Sequence, residues 1–463
     1  MREYFRKLAR VFRSPGLAAV WRWSEGVRGR IALMTLMTAV STLASLGLTL
    51  SVRGLVDAAA STDPGGLKHF GILCGALIAL DYRFFLGGGL VRIHTDSLLQ
   101  KKMQRLLVDE IVSKEYSKIR PYHSGELVNR VFSDMTIIKN GMMDLVSKLA
   151  YMVISFTGAA LILISMDWHF VILIVLGSML GALVLLVFRG PMKRRHRILQ
   201  EASDGVHASA QEVLENIRLI KASGSERRVL PRFYGAQERL QKAQIGKETV
   251  RFAMDGGMDL LFSISWVLCM GWGCIQIFRG QLTYGTLAAM IQLIGRIQQP
   301  IVNAVGIAGE AYGVVTSAER VLELTELPDE KEEEPLKDFD EIVLEDVGFR
   351  YDDGTEDVLK GADTVFRRGS FTALTGTSGG GKTTLFYLLL GLFVPTAGRL
   401  YFRSGGEEIP ASGRTRGLFA YVPQGNTLFS GTLRDNLTMF TDGAEDAQIM
   451  EAAKAACIDT VVA

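Results

Sequence analysis

The chain has 463 residues, a formal net charge of +2 and a mean hydropathy of +0.21, with 48% hydrophobic and 22% charged residues. That length allows two or three domains. The small net charge, with no basic patch laced with aromatics, excludes a general polyanion- or nucleic-acid-binding role. The average conceals a division: residues 31–310 are mostly apolar, and residues 331–463 read as soluble.

The first 30 residues open on a basic stretch, Met1 to Arg13, in which Tyr4, Phe5, Leu8, Val11 and Phe12 recur at near-helical spacing. This predicts an amphipathic elbow helix lying on the cytoplasmic membrane surface. No apolar run with a cleavage site follows closely, so a signal peptide does not fit; a mitochondrial presequence is the weaker alternative.

A helix needs about 20 apolar residues to cross about 30 Å of hydrocarbon. Six windows qualify, at about 31–56, 70–91, 146–166, 169–189, 258–279 and 286–308, with Asp167 at a tight hairpin between the third and fourth. Segments 1–30, 92–148 and 189–256 carry eight, ten and fourteen Lys and Arg residues, against Lys68 and Arg279 alone on the other side. The bias of basic residues toward the cytoplasm then places both termini inside, in a multi-pass protein of the plasma membrane.

The two long inner segments are periodic. Leu98, Leu99, Met103, Leu106, Leu107 and Ile111 keep one face apolar, and Ile198, Ala202, Val206, Ala210, Val213, Ile217 and Ile220 step by three or four. Such spacing predicts helices that continue the spans into the cytoplasm, about 37 Å for 25 residues. Asp81, Arg83 and Arg296 fall within spans, where each charge costs roughly 2.5–3.5 kcal/mol at mid-bilayer. They line a substrate cavity or form ion pairs between helices. Gly87, Gly88 and Gly89 mark close helix packing or a hinge. Of the four cysteines, Cys74, Cys269, Cys274 and Cys457, none forms a C-x-x-C pair, and all read as buried free thiols.

After Arg320 the chain turns acidic through Glu330-Lys331-Glu332-Glu333-Glu334-Pro335, a solvated linker. Ile342-Val343-Leu344 and Phe371-Thr372-Ala373-Leu374 read as strands. The second feeds Gly376-Thr377-Ser378-Gly379-Gly380-Gly381-Lys382-Thr383, and Thr384 to Leu392 reads as a helix. Strand, glycine loop and helix in this order are the context of a phosphate-binding loop. Glycines let backbone N–H groups curl around phosphate oxygens, and the helix N-terminus adds its dipole. Lys382 reaches the β- and γ-phosphates, and Thr383 ligates Mg²⁺. The expected cofactors are ATP and Mg²⁺.

With these motifs the sequence resembles an ATP-binding cassette (ABC) transporter of the exporter type, through nearly its whole length. Arg53-Gly54-Leu55-Val56-Asp57 resembles the end of the first span. His123-Ser124-Gly125-Glu126-Leu127-Val128-Asn129-Arg130 with Asp134, and Glu215-Asn216-Ile217-Arg218-Leu219-Ile220-Lys221, resemble the two intracellular loops. Ser317-Ala318-Glu319-Arg320 resembles the join to the nucleotide domain. The resemblance implies that Tyr351, in Phe349-Arg350-Tyr351, stacks on the adenine, and that Gly376, Ser378, Gly379, Gly380, Gly381, Lys382, Thr383 and Thr384 hold the phosphates. It also implies that Gln424, in Tyr421-Val422-Pro423-Gln424, senses Mg²⁺ and the γ-phosphate. Leu428 to Asn436 matches the stretch that follows it.

Gly380 and Thr383 replace the serines common at their positions. More consequentially, the sequence shows no L-S-G-G-Q signature, Walker B aspartate, catalytic glutamate or switch histidine. The expected architecture is an all-α six-helix transmembrane bundle with long cytoplasmic extensions, followed by an incomplete α/β P-loop domain. The boundaries are an elbow at 1–30, a membrane domain at 31–325, a linker at 326–340 and a partial ATP-binding domain at 341–463. The expected function is the ATP-binding half of an exporter with an unidentified peptide, lipid or drug-like cargo, cut short within the ATP-binding domain and unable to hydrolyse efficiently. It pairs with a second half, identical or different. The alternative is a non-catalytic partner subunit of a heterodimer. A membrane-anchored P-loop kinase fits neither the Gln424 region nor the intracellular segments.

Overall fold

A computed structural model describes residues 14–331, 333–352, 354–377, 379–425, 427–441 and 443–462. The amphipathic helix expected over Met1 to Arg13, and Ser378 of the glycine loop, lie outside the described residues. The chain divides into two compact units. One holds the described residues up to Val112 together with Tyr122–Leu327; the other holds Ser113–Pro121 together with Pro328 onward.

The first unit is helical throughout. Helix α1 (Pro15–Trp23) starts at Ser14, whose hydroxyl accepts the Leu17 amide, with proline at its first turn. Then follow α2 (Arg28–Ala60), α3 (Pro64–Ser113), α4 (Tyr116–Ile119), which belongs to the second unit, and α5 (Ser124–Asn129). A single π turn (Arg130–Asp134) leads into α6 (Met135–Met166), α7 (Trp168–Glu215), α8 (Ile217–Ser223), α9 (Glu226–Phe278) and α10 (Tyr284–Thr325).

The six apolar windows fall on α2, α3, α6, α7, α9 and α10. Among the described residues, four helical segments are long and apolar enough to cross a membrane: α2, α3, Ser124–Met166 and α9. Helices α3, α7 and α9 run for 50, 48 and 53 residues. At 1.5 Å per residue, α3 alone is about 75 Å long. The periodic inner segments are therefore continuations of the apolar windows. Asp167 makes the hairpin expected of it: its carboxylate accepts the His169 amide at 3.0 Å, capping α7, and Trp272 Nε1 of α9 at 3.1 Å.

The helices approach closely where side chains are small. A Cβ on Gly158 would sit 2.4 Å from Leu46, and one on Gly141 would sit 2.1 Å from Val314. Leu46, Ala159, Leu163, Phe170, Cys269, Met290 and Leu293 form one buried cluster drawn from five helices. Gly87 and Gly88 face Met37, whereas Gly89 faces open space. The cysteines correct the expectation of four buried thiols: Cys74 and Cys269 are buried, but Cys274 and Cys457 are exposed. Cys274 lies on an outward face of α9, where an apolar side chain needs no protein neighbour if lipid covers it.

Residues of the resemblance motifs in this unit bind partners distant in sequence. Asp57 accepts from the Gly285 amide at 2.8 Å and from Thr283 Oγ1 at 2.9 Å, tying the end of α2 to the start of α10. Buried Asp134 accepts from Ser317 Oγ at 2.9 Å and from both Nε (3.0 Å) and Nη2 of Arg320. Buried Arg130 donates to Glu126 at 2.7 Å, to Glu323 at 3.2 Å and to the Arg320 carbonyl.

The second unit carries an antiparallel sheet in the order β2-β1-β3-β4, from β1 (Glu341–Phe349), β2 (Leu359–Arg367), β3 (Ala397–Ser404) and β4 (Glu407–Pro410). Helix α11 (Lys382–Leu389) packs Leu385, Leu388 and Leu389 on one face of it. Ile342 and Leu344 of β1 join that core, and so do Val347 and Phe349. The switch from even to odd numbers comes from a register shift around Asp346, which adopts φ +50°. An extra residue in one strand turns the following side chains over. Beyond β4 lie α12 (Gly413–Arg416), α13 (Leu433–Thr438), α14 (Asp446–Ala455) and α15 (Asp459–Val462).

Two local expectations are corrected. Phe371–Leu374 forms no strand; it is irregular and exposed, with Phe371 97% exposed. A strand is held by its ladder, and among the described residues no strand runs beside this segment. Helix α11 begins two residues earlier than the sequence suggested and ends at Leu389.

Candidate nucleotide site

The glycine loop owes its shape to residues without a Cβ. Gly376, Gly379 and Gly381 adopt φ of +158°, +82° and +80°, and Gly381 sits at the N-cap of α11. A side chain at Gly381 would meet the Val358 carbonyl at 3.0 Å, whereas a Cβ on Gly376 or Gly379 would point into open space. The loop is therefore backed by protein on one side and open on the other. Gly380 closes a tight turn, its amide donating to the Thr377 carbonyl at 3.1 Å.

Lys382, the first residue of α11, folds back across the loop. Its Nζ donates to the Gly376 carbonyl at 2.9 Å and to the Thr377 carbonyl at 2.7 Å. The ammonium thus stands at the mouth of the loop, beside the exposed amides of a helix start. Thr383 follows it and is exposed; Thr384 is buried. An open loop of glycines, a helix N-terminus and one ammonium are a donor set suited to phosphate oxygens and to nothing cationic. The residues present thus fit the triphosphate chain of a nucleotide, and the Thr383 hydroxyl is a hard oxygen donor of the kind Mg²⁺ takes. Gln424 is exposed on the irregular segment after Phe419 and is not gathered into this cluster by any hydrogen bond among the described residues.

Tyr351 and Thr384 are brought together. The Tyr351 hydroxyl lies 2.8 Å from Thr384 Oγ1. Phe349 and Phe393 meet the Tyr351 ring edge-on, with centroids 4.9 and 5.5 Å away. The guanidinium of Arg120 stacks over the ring, its Cζ 3.9 Å from the centroid. Stacking on an aromatic face is worth about 0.5–1 kcal/mol at an exposed site and about 2 when desolvated.

Arg120 arrives with the segment that precedes it. Lys114 and Asp329 form an antiparallel bridge: the Glu115 amide donates to the Pro328 carbonyl at 3.1 Å, and the Glu330 amide to the Ser113 carbonyl at 2.8 Å. Buried Lys114 Nζ adds a 2.6 Å ion pair to Asp329, whose carboxyl it holds below the usual carboxylate range. Tyr116 of α4 then packs edge-on to Phe393 and Tyr387, and Lys118 pairs with Asp352 at 3.3 Å. Burial raises the Tyr387 phenol above its ordinary value. Between this segment and the sheet lies a cavity of about 400 Å³, lined by Arg120, Arg350, Tyr351, Asp352, Phe393 and Thr396. The sequence marked the neighbouring stretch His123–Arg130 as resembling an intracellular loop but gave no sign of Arg120. A lone arginine in a polar helical stretch gives no signal until its neighbour is known.

Comparison with known proteins agrees with this geometry. Residues 31–301 match the family described as ABC transporter transmembrane region, and residues 359–461 match the family described as ABC transporter. The chain is 26% identical over 437 residues to ABC transporter B family member 1 of Dictyostelium discoideum, covering 90% of this chain and 46% of that protein. It is 26% identical over 376 residues to the fatty acid ABC transporter ATP-binding/permease protein of Mycobacterium bovis, covering 79% and 58%. It is 25% identical over 360 residues to the multidrug resistance ABC transporter ATP-binding and permease protein of Lactococcus lactis, covering 74% and 58%. The chain spans about half the length of the curated relatives it matches. Its long apolar helices, glycine loop and sheet, taken with these matches, show that the chain belongs to the ABC transporter family, with a transmembrane region fused to an ATP-binding domain.

Proposed function

We propose that this chain is the ATP-binding half of an exporter, with Gly376, Gly379, Gly380, Gly381, Lys382, Thr383 and Thr384 around the phosphates, Ser378 contributing to the same loop, and Tyr351 against the base. The boundaries that go with this reading are a membrane domain over 31–325, a linker over 326–340 and the nucleotide domain after it, with both termini cytoplasmic. The observation that carries the proposal is the posture of Lys382, whose ammonium is held over an open glycine loop by two loop carbonyls. Those carbonyl bonds are ones a phosphate can replace with stronger, charge-assisted bonds.

The residues divide the work. Loop amides and the α11 N-terminus bind and orient the phosphates; Lys382 neutralises them; Thr383 and Gln424 hold Mg²⁺. When bound, Mg²⁺ supplies charge neutralisation at the β- and γ-phosphate oxygens. Among the described residues no carboxylate is hydrogen-bonded to Lys382 or Thr383, which supports the reading that the chain binds ATP and turns it over poorly by itself. Binding energy reaches the helices because α4 and Arg120 share the Tyr351 cluster. A ligand shifts a conformational equilibrium only through such differential contacts. The partner is a second transporter half, and the surroundings are a lipid bilayer.

The test measures ATP binding and phosphate release on one preparation of the full chain in nanodiscs. Saturable binding with little phosphate release is the expected result. Robust, vanadate-sensitive turnover by the purified chain contradicts the reading.

A further inference from the structure

Helices α2, α3, α6 and α10 enclose a cavity of about 830 Å³. Its charged lining falls into two classes. Arg92, Asp144 and Lys148 are paired: Arg92 Nη2 lies 2.7 Å from Asp144 Oδ1, and Lys148 Nζ lies 2.8 Å from Glu310 Oε2 and 4.0 Å from Asp144. Asp81 and Arg296 are not. Among the described residues, no cation lies at ion-pair distance from the Asp81 carboxylate, and no carboxylate at that distance from the Arg296 guanidinium. Each is held by a neutral hydroxyl instead. Ser41 Oγ donates to Asp81 Oδ1 at 2.5 Å, and Arg296 Nη2 donates to Ser45 Oγ at 2.5 Å and to the Ser45 carbonyl at 3.2 Å. Arg83, grouped with Asp81 and Arg296 in the sequence analysis, is exposed and does not line the cavity.

Ser41 and Ser45 lie four residues apart on α2, so one helical turn, roughly 6 Å along the axis, separates the two anchoring points. An unpaired carboxylate and an unpaired guanidinium therefore line one cavity at neighbouring levels. Ionised groups within a membrane span are costly unless something neutralises them. Here the protein orients both charges and leaves each short of a counter-ion. Phe84, Phe85, Leu90 and Met143 supply apolar walls to the same space.

We infer that this cavity binds zwitterionic amphiphiles: an acyl or alkyl chain whose headgroup carries a cationic nitrogen, set against Asp81, and a phosphate or carboxylate, set against Arg296. A purely anionic amphiphile satisfies Arg296 and repels Asp81; a purely cationic one does the reverse. The inference rests on the export reading and names the class of cargo for it.

The experiment uses the full chain in phosphatidylglycerol nanodiscs and three dansyl-tailed probes with one chain length: a lysophosphocholine, a phosphate monoester and a trimethylammonium. Binding is read by energy transfer from tryptophan, corrected with protein-free discs. The expected result is a preference on the order of tenfold for the zwitterion over either singly charged probe. Asp81→Asn should erase the advantage over the phosphate probe, and Arg296→Gln the advantage over the trimethylammonium probe. Asp81→Glu and Arg296→Lys should keep most of it, which separates loss of charge from loss of fold. Repeating the titration in phosphatidylcholine discs separates sources: suppressed probe binding identifies the bilayer lipid as the occupant, and unchanged binding identifies a free amphiphile. Equal affinity for the three headgroups overturns the inference. Parallel azido-ATP labelling keeps the outcomes distinct: headgroup preference without labelling breaks the export reading alone, and labelling without preference breaks the cargo assignment alone.

Discussion

Arg120 stacks on Tyr351, with 3.9 Å between the guanidinium carbon and the ring centre, and the Tyr351 hydroxyl reaches Thr384 at the start of the helix that follows the glycine loop. One aromatic ring thus touches both the segment leading out of α3 and the phosphate-loop helix. A base stacked on Tyr351 either takes the ring face opposite Arg120 or displaces the guanidinium.

If the base displaces it, Arg120→Ala removes a competitor worth about 0.5–1 kcal/mol, and ATP should bind about 2- to 5-fold more tightly. Tyr351→Phe keeps the ring and loses only the bond to Thr384, so its effect should be smaller than that of Tyr351→Ala. Equilibrium binding of a fluorescent ATP analogue to the full chain measures all three. Weaker binding by Arg120→Ala identifies Arg120 as a support for the base.

The Asp134–Arg320 pair predicts an asymmetry. Asp134 is 1% exposed, whereas the Arg320 side chain is 44% exposed. Arg320→Ala leaves a buried carboxylate with Ser317 alone and should cost on the order of 3 kcal/mol. Asp134→Asn leaves a half-exposed guanidinium that water can reach and should cost about 1–2 kcal/mol. Thermal unfolding of the two variants in the same detergent ranks them; equal losses, or the reverse order, refute this account of the pair.

Gly398 has φ +73°, and a Cβ there would lie 2.2 Å from the Asp346 carbonyl oxygen; Gly369 has φ +72° with nothing nearby. Gly369→Ala should therefore cost only the backbone strain, about 1–2 kcal/mol. Gly398→Ala should cost more, because the strand β1 must move. Comparable melting temperatures for the two variants would rule out the clash.

Asp329 has its carboxyl lowered by the hydrogen bond from Lys114. A carboxylate with a depressed folded value stabilises above its unfolded value, and that contribution disappears as pH falls through the folded one. The bridge joining residues 113–115 to 328–330 should thus hold unchanged from pH 8 to 5 and loosen only below about pH 4. Hydrogen exchange of the Glu115 and Glu330 amides follows it. Loosening near pH 6 to 7 would mean that another group controls the bridge.

Periodicity carried the membrane part well. Long apolar windows and three-or-four spacing mark α2, α3, α6, α7, α9 and α10 because a helix satisfies its own backbone and reads locally. The glycine loop and α11 were legible for the same reason, since φ-permissive residues and a helix start are local facts. Phe371–Leu374 was not, because a strand exists only beside another strand. Neither was Arg120, nor the meeting of Asp81 and Arg296 in one cavity, since contacts over such separations leave no mark on local spacing. The pair Asp134–Arg320 lay between: each residue stood in a stretch resembling the family, but only the fold shows that they touch.

Photolabelling with 8-azido-ATP tests the central claim most directly, applied to the full chain, to Lys382→Ala and to Tyr351→Ala, with the labelled peptide identified. The account predicts label on the peptide that holds Tyr351, near-complete loss in Lys382→Ala and a marked reduction in Tyr351→Ala. Equal labelling of all three proteins would contradict it.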